Sequence, residues 1–320
     1  MRASAIYQMK LTGLCSAMHL LVDGICVCCM YLMTSFFPVT QIMGIFITYN
    51  VLAFMTQPFT GMWADRLERK HWMLLASILL LTLAVLATSV VMAMKCQAVG
   101  MYVVAVLLGA GNSLFHVWGG KQVTVGTDND IRALGMFVST GAFGLALGMV
   151  FFSWPLLYLF LLALCLLSVA CLHYDKPETS AETIAGKFSN GFILLSVMGL
   201  MAAVVMRSYI GETFSTGLPK NDTMLLLIGA FSMLGKMAGG WLARWMGIVR
   251  ALVAVLLVLA ACFFFMDYGT SVLLAALFAV NCTMPVTLYL ANVVLPGKEG
   301  LAFGLLAAAL IPGYLMAFCL

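Results

Sequence analysis

Long apolar runs, each near the ~20 residues a helix needs to cross hydrocarbon, follow one another along all 320 residues. They fall at about 11–34, 41–60, 72–94, 98–120, 133–152, 154–173, 190–211, 223–244, 248–266, 269–292 and 300–320, eleven runs in all. Polar or turn-forming stretches part them: SFFPVT after the first, ADRLERKH after the second, GTDNDIR after the fourth, and Ser153-Trp154-Pro155 between the fifth and sixth. The longest polar stretch, DKPETSAETIAGK, is too short for a soluble domain. The pattern predicts an all-α membrane protein, a polytopic bundle of about 11 transmembrane helices.

Composition sharpens this. Apolar residues make up 64% of the chain and charged residues 9%, against about a quarter charged in a soluble protein. A soluble fold of this size cannot hide so much apolar surface. The net charge of +4 comes from scattered Lys and Arg with no basic stripe, so no nucleic-acid partner is expected. Nine of the ten cysteines (Cys15, Cys26, Cys28, Cys29, Cys165, Cys171, Cys262, Cys282, Cys319) lie in apolar runs, where they serve as small hydrophobes and not as a disulfide framework. The first run is long enough to stay in the bilayer, so no cleavable leader is expected.

Lys and Arg placement gives the orientation. With a cytoplasmic N-terminus the inner segments hold Arg2, Lys10, Arg66, Arg69, Lys70, Lys121, Arg132, Lys176, Lys187, Arg244, Arg250 and Lys298; the outer ends hold Lys95, Arg207 and Lys220. The expected location is the inner (cytoplasmic) membrane of a cell. The expected division is a six-helix bundle over 1–173, a cytoplasmic loop over 174–189 and a five-helix bundle over 190–320.

An internal repeat supports two pseudo-symmetric halves. At an offset of 169 residues GNSLFHV (111–117) meets VNCTMPV (280–286), pairing Asn112 with Asn281; the same offset pairs Asp130 with Glu299, Gly135 with Gly304 and Gly144 with Gly313. At a slightly different offset GMWADRLERK (61–70) meets GWLARWMGIVR (240–250). Two related bundles joined by a polar loop is a transporter plan.

The run GMWADRLERK resembles the signature between the second and third helices of the major facilitator superfamily, roughly G-x-L-A-D-[KR]-x-G-[RK]-[RK]. Gly61, Ala64, Asp65, Arg66, Arg69 and Lys70 match it; Met62-Trp63 and Glu68 depart from it. HLLVDGICVCC in the first helix and GNSLFHVWGG in the fourth are similar to a bacterial branch of that family. The resemblance implies an inward–outward rocker whose helices 1, 4, 7 and 10 line a central cavity. It also implies a cytoplasmic gate at Gly61, Asp65, Arg66, Arg69, Lys70 and Arg132, with Asp65 pairing to Arg66 or Arg132. The bland reading of this hinge is a basic anchor that only sets topology. The family plan has twelve spans, so the twelfth is expected to be lost or the chain truncated.

Asp23 lies about 12 residues into the first run, near mid-bilayer at 1.5 Å per residue. An acid there costs a few kcal/mol and normally faces a cavity or a partner. His19 sits one turn before it on the same face, a pair suited to holding a proton or to clamping helices together. In the family plan Asn112 and His116 of helix 4 converge on the same cavity, with Asn281 and Tyr289 of helix 10 opposite. Lys121 reads as a snorkelling anchor, Lys236 as a charge in an apolar run that wants a partner. Arg207 offers a site for an anion, or an outer-rim ion pair with Glu212. Gly135, Gly141, Gly144 and Gly148 suit close helix packing. His19, Asp23 and Cys26 share a face that admits a metal, but no other helix supplies a His or Cys cluster, so no metal site and no cofactor are expected.

The sequence therefore reads as a secondary active transporter of a small solute by alternating access, with proton coupling through Asp23. The rivals are a transporter-derived receptor or scaffold, a transition-metal transporter, and a membrane-embedded enzyme, for which only His116, Lys121 and Asp128 approach a constellation. No nucleophile elbow, phosphate loop or HExxH run is present, so no catalytic activity is expected. The partners are the bilayer, the solute and protons; oligomeric state is not encoded legibly.

Overall fold

A computed structural model of the chain describes residues 2–34, 37, 39–67, 71–94, 98–172, 189–265, 267 and 269–319. Among them no strand occurs. The helices are α1 (Arg2–Thr34), α2 (Val39–Asn50), α3 (Gln57–Arg66), α4 (His71–Ala93), α5 (Ala98–Gly126), α6 (Ile131–Val150), α7 (Trp154–Leu172), α8 (Asn190–Thr216), α9 (Asp222–Met246), α10 (Ile248–Phe264), α11 (Thr270–Asn281), α12 (Met284–Val294), α13 (Glu299–Ala308) and α14 (Leu310–Cys319). Ten helical stretches are long and apolar enough to cross a membrane, and α10 is a shorter apolar helix. They coincide with the eleven runs. The loop expected at 174–189 falls outside the described residues but for Ser189, whose hydroxyl caps α8 by accepting from the Phe192 N–H.

Three spans are interrupted, each just before a proline. Five residues of π-helix, Val51–Met55, join α2 to α3 ahead of Pro58. Cys282 and Thr283 part α11 from α12 ahead of Pro285. Ala309 parts α13 from α14 ahead of Pro312. Proline lacks the N–H that would close the preceding turn, and in hydrocarbon the loosened carbonyls need other donors. Beside the breaks, though not at the i−4 carbonyls of the prolines, side-chain hydroxyls add bonds to the main chain: Thr56 donates to Leu52 O at 2.6 Å, and Ser208 donates across to Leu310 O at 2.9 Å.

Glycines set the helix–helix contacts and make the repeat visible in three dimensions. A Cβ on Gly144 of α6 would strike the backbone of Leu20 in α1; one on its repeat partner Gly313 in α14 would strike Val205 in α8. Gly135 of α6 abuts the Lys236 carbonyl in α9, and its partner Gly304 of α13 abuts Gln57 in α3. Gly61 abuts the Gly300 carbonyl and Gly240 abuts that of Ile131, and residues 131 and 300 differ by the same 169-residue offset. Equivalent glycines thus touch equivalent spans, as two pseudo-symmetric halves require. The two halves meet chiefly where α3 lies on α13 and α6 on α9.

Candidate functional site

Between the halves lies a cavity of about 370 Å³. The first half lines it with His19 and Asp23 of α1, Gln57 of α3 and His116 of α5; the second with Arg207 and Glu212 of α8, Lys236 of α9 and Asn281 of α11. Ser215, like Glu212 at the last turns of α8, also lines it, so the cavity extends from Asp23 toward that end of the bundle.

Asp23 is the hub of the first wall. Asn112 donates its amide N–H to Asp23 Oδ1 at 2.9 Å. His19 Nε2 lies 3.3 Å from Asp23 Oδ2, and His116 Nε2 lies 3.5 Å from Oδ1. The two imidazoles meet edge to face with centroids 4.5 Å apart. Each ring's other nitrogen points at a backbone carbonyl: His19 Nδ1 at Phe137 O, 2.6 Å, and His116 Nδ1 at Asn112 O, 2.9 Å. A carbonyl only accepts, so both Nδ1 atoms carry hydrogen and both Nε2 atoms of the neutral rings face the carboxylate with lone pairs. Three acceptors turned on one another repel unless a cation sits among them. The ligand atoms of His19, Asp23 and His116 all lie within 4.8 Å of one another, close enough to share one. Gly141 makes the room: a Cβ there would strike both Asp23 Oδ2 and His19 Nε2.

The structure brings His19, Asn112 and His116 together on Asp23, with Asn112 standing behind the acid and not among the lining residues. Cys26 takes a long contact from the Asn112 amide at 3.7 Å and also bonds Tyr49; His116 completes the cluster in its place. Asn281 reaches the cavity but spends its amide N–H on Leu277 O, 2.8 Å. Tyr289 does not line the cavity; its carbonyl, midway along α12, accepts from Asn129 at 3.4 Å.

The face that carries the 61–70 hinge is closed. Asp65, at the end of α3, accepts from the backbone N–H of Gly300 and of Leu301, both at 2.9 Å. It thereby caps α13 of the other half, placing a carboxylate at a helix N-terminus where unmatched N–H groups favour it. Lys121 of α5 stands 3.5 Å from Asp65 and donates to Ala64 O at 2.9 Å. This corrects two expectations. Arg132 does not pair with Asp65 but with Asp130, at 2.6 Å, and lies over the Trp241 ring; and Lys121 is a buried partner of the hinge acid, not a snorkelling anchor. Arg66 lies at the exposed end of α3, and Arg69 and Lys70 lie outside the described residues. Nothing in the side-chain pattern announced a backbone partner 235 residues away. Nearby, Asn292 of α12 donates to Asn129 Oδ1 at 3.0 Å, a second polar bridge across the halves. Burial pushes the Asp130 carboxyl up, but the hydrogen bonds it accepts from the Arg132 guanidinium and backbone N–H outweigh this and leave it below the usual carboxylate range.

On the second wall the expected Arg207–Glu212 pair does not form among the described residues. Five residues apart, the two project about 140° from each other around the helix. The Arg207 Nε is buried without a hydrogen-bond partner. Lys236 makes no hydrogen bond and no ion pair among the described residues, and its charged neighbours are Arg207 and Asp23.

The sequence profile of the Major Facilitator Superfamily matches residues 12–315. No curated protein sequence matches the chain. Among solved structures the fold is similar to the Escherichia coli fucose:proton symporter FucP, with a TM-score of 0.70 and 14% identity over 97% of this chain and 90% of that one. It is similar too to a bacterial homologue of the iron transporter ferroportin in an outward-facing state, at 0.64 and 15% over 98% and 91%. The human organic anion transporter TETRAN (MFSD10) gives 0.64 and 17% over 97% and 92%.

Proposed function

Because this chain belongs to the Major Facilitator Superfamily and is a membrane transporter by family and fold, we propose that it moves a small solute by alternating access with protons as the coupling ion. The solved structures of similar fold are a fucose:proton symporter, a bacterial homologue of an iron transporter and an organic anion transporter, so the fold leaves the substrate to the site. The moving bodies are the bundles 1–173 and 190–320, joined by 174–189. The membrane is the cytoplasmic one, with the N-terminus inside. The hinge face is then cytoplasmic and sealed, and the cavity extends toward the outside.

The observation that supports coupling is the cluster at the cavity wall, two imidazole Nε2 atoms turned on the Asp23 carboxylate at 3.3 and 3.5 Å. A proton taken up on one Nε2 turns that nitrogen into a donor to the carboxylate and relieves that contact, and the cavity gives the proton a path to one side of the membrane at a time. The cytoplasmic gate is Asp65 on the start of α13, supported by Lys121, with Gly61 allowing the backbones to touch.

The test uses purified protein in liposomes, with a solute first found by thermal stabilisation across a metabolite panel. Asp23→Asn is expected to keep solute binding and to lose accumulation driven by a pH gradient. Unchanged pH-driven accumulation in that variant would sink the coupling mechanism. Uptake of Zn²⁺ or Fe²⁺ in place of an organic solute would instead make the shared cation a metal cargo, which the 4.8 Å convergence also favours.

A further inference from the structure

The acid cluster occupies one wall of the cavity; the opposite wall holds charges that the coupling scheme leaves unused. We propose that the solute is a small organic oxyanion, a carboxylate or phosphate head on an apolar body, held by Arg207 and Lys236. The proposal rests on the reading of this cavity as a carrier's solute site.

Arg207 projects from α8 and Lys236 from α9, and both line the cavity. α9 is pressed against its own half by glycines on either side of Lys236: Gly235 abuts the Phe278 carbonyl and Gly239 that of Cys282. The lysine therefore sits on a helix whose depth is fixed by backbone contact. Each cation lies in the other's field, and two like charges in a half-buried site repel. Charges withdrawn from water are paired or wait for a partner. The acids at hand do not serve. Asp23 already accepts from Asn112 and faces two imidazoles, and Glu212 lies round the helix from Arg207 toward the cavity's far end. The buried Arg207 Nε without an acceptor is the unfilled half of such a contact.

An oxyanion satisfies both groups. The guanidinium presents a planar fork matched to two oxygens of one head group, and the ammonium adds a point charge beside it. The remaining lining is largely apolar, including Val138, Ala142, Leu277, Phe303 and Leu306, which suits a hydrocarbon or aromatic body. A cavity of about 370 Å³ holds the volume of about a dozen waters at ~30 Å³ each. A cationic solute would meet two uncompensated positive charges on this wall.

Binding to the full chain in nanodiscs, measured by calorimetry and thermal shift, tests this. The probes are benzoate, hexanoate and phenyl phosphate, their neutral counterparts benzamide and hexanamide, and inorganic phosphate. At least one organic oxyanion is expected to bind, with its neutral counterpart much weaker. Arg207→Gln and Lys236→Met are each expected to weaken that binding about 10- to 100-fold, the range for a hydrogen bond to a charged group. Arg207→Lys and Lys236→Arg should keep most of it and show that the neutral variants lost charge and not fold. Four results would each overturn the proposal: no oxyanion binding, amides binding as well as acids, neutral variants binding unchanged, or inorganic phosphate binding as tightly as any organic probe. Binding is read at equilibrium, so anion binding without uptake into liposomes would remove the carrier reading and leave this one. Uptake of a neutral solute undiminished in Arg207→Gln and Lys236→Met would do the reverse.

Discussion

Replacing Asp65 by Asn tests what keeps the hinge face shut. The carboxylate receives two backbone N–H groups of α13 at 2.9 Å and stands 3.5 Å from Lys121. Asparagine retains one carbonyl acceptor for one of those N–H groups and turns an NH₂ toward the other. The lost charge-assisted hydrogen bond is worth about 1.5–3 kcal/mol, and the lost attraction to the helix N-terminus about 0.3–1 kcal/mol. Together, at about 1.4 kcal/mol per tenfold, these shift the closed-to-open ratio of the hinge face by about 20- to 700-fold. Conformers of a carrier differ by only a few kcal/mol, so a shift of that size makes the opened hinge face prominent. Hydrogen–deuterium exchange read by mass spectrometry on a peptide covering 298–308 reports it directly, because Asp65 is the acceptor for the Gly300 and Leu301 amides. Their exchange should quicken by a factor in the same range, while Lys121→Met, which removes the more distant ion pair and the bond to Ala64 O but leaves both amide bonds to Asp65 in place, should quicken them far less. Unaltered protection of these two amides in Asp65→Asn would refute the account of the gate.

Gly144→Val should lower the melting temperature in detergent, because its Cβ meets the Leu20 backbone and overpacking costs about 1–3 kcal/mol even where side chains can yield; an unshifted melt would contradict the packing. Asp130→Asn bears on pH. The folded carboxyl lies below its usual value, so its contribution exists above the unfolded pKa of about 3.9 and fades as pH falls through the lower folded value. The substitution should therefore lower the melting temperature at neutral pH and make no difference at strongly acid pH. Because this carboxyl is partly exposed, the effect is expected to be small, and an equal loss at both pH values would count against it.

Eleven spans were legible because hydrophobic length is a one-dimensional property. So were the halves, since a glycine that must touch a backbone leaves its mark at both copies of the repeat. The acid cluster was legible in part. His19 and Asp23 are one turn apart, but the arrival of His116 depends on how α5 lies on α1, and one helix's periodicity says nothing of its neighbour's rotation. Cys26, which shares the Asp23 face in sequence, stands aside for that reason. The Asp65 contact was hidden because its partners are main-chain amides, which every residue but proline owns. The Arg207–Glu212 pairing failed on angle: nearness in sequence was read as nearness in space, and a separation of five residues places side chains on different sides of a helix.

The two glycine seams, Gly61 on Gly300 and Gly240 on Ile131, bear on how many shapes the molecule visits. Main chain rests on main chain in both, so neither can part gradually by a rotamer flip. Because a pseudo-dyad relates them, tilting one bundle away from the other strains both at once. The expected ensemble therefore has two well-filled basins with a sparse ridge between them, and a methyl group added at Gly61 or at Gly240 should empty the same basin.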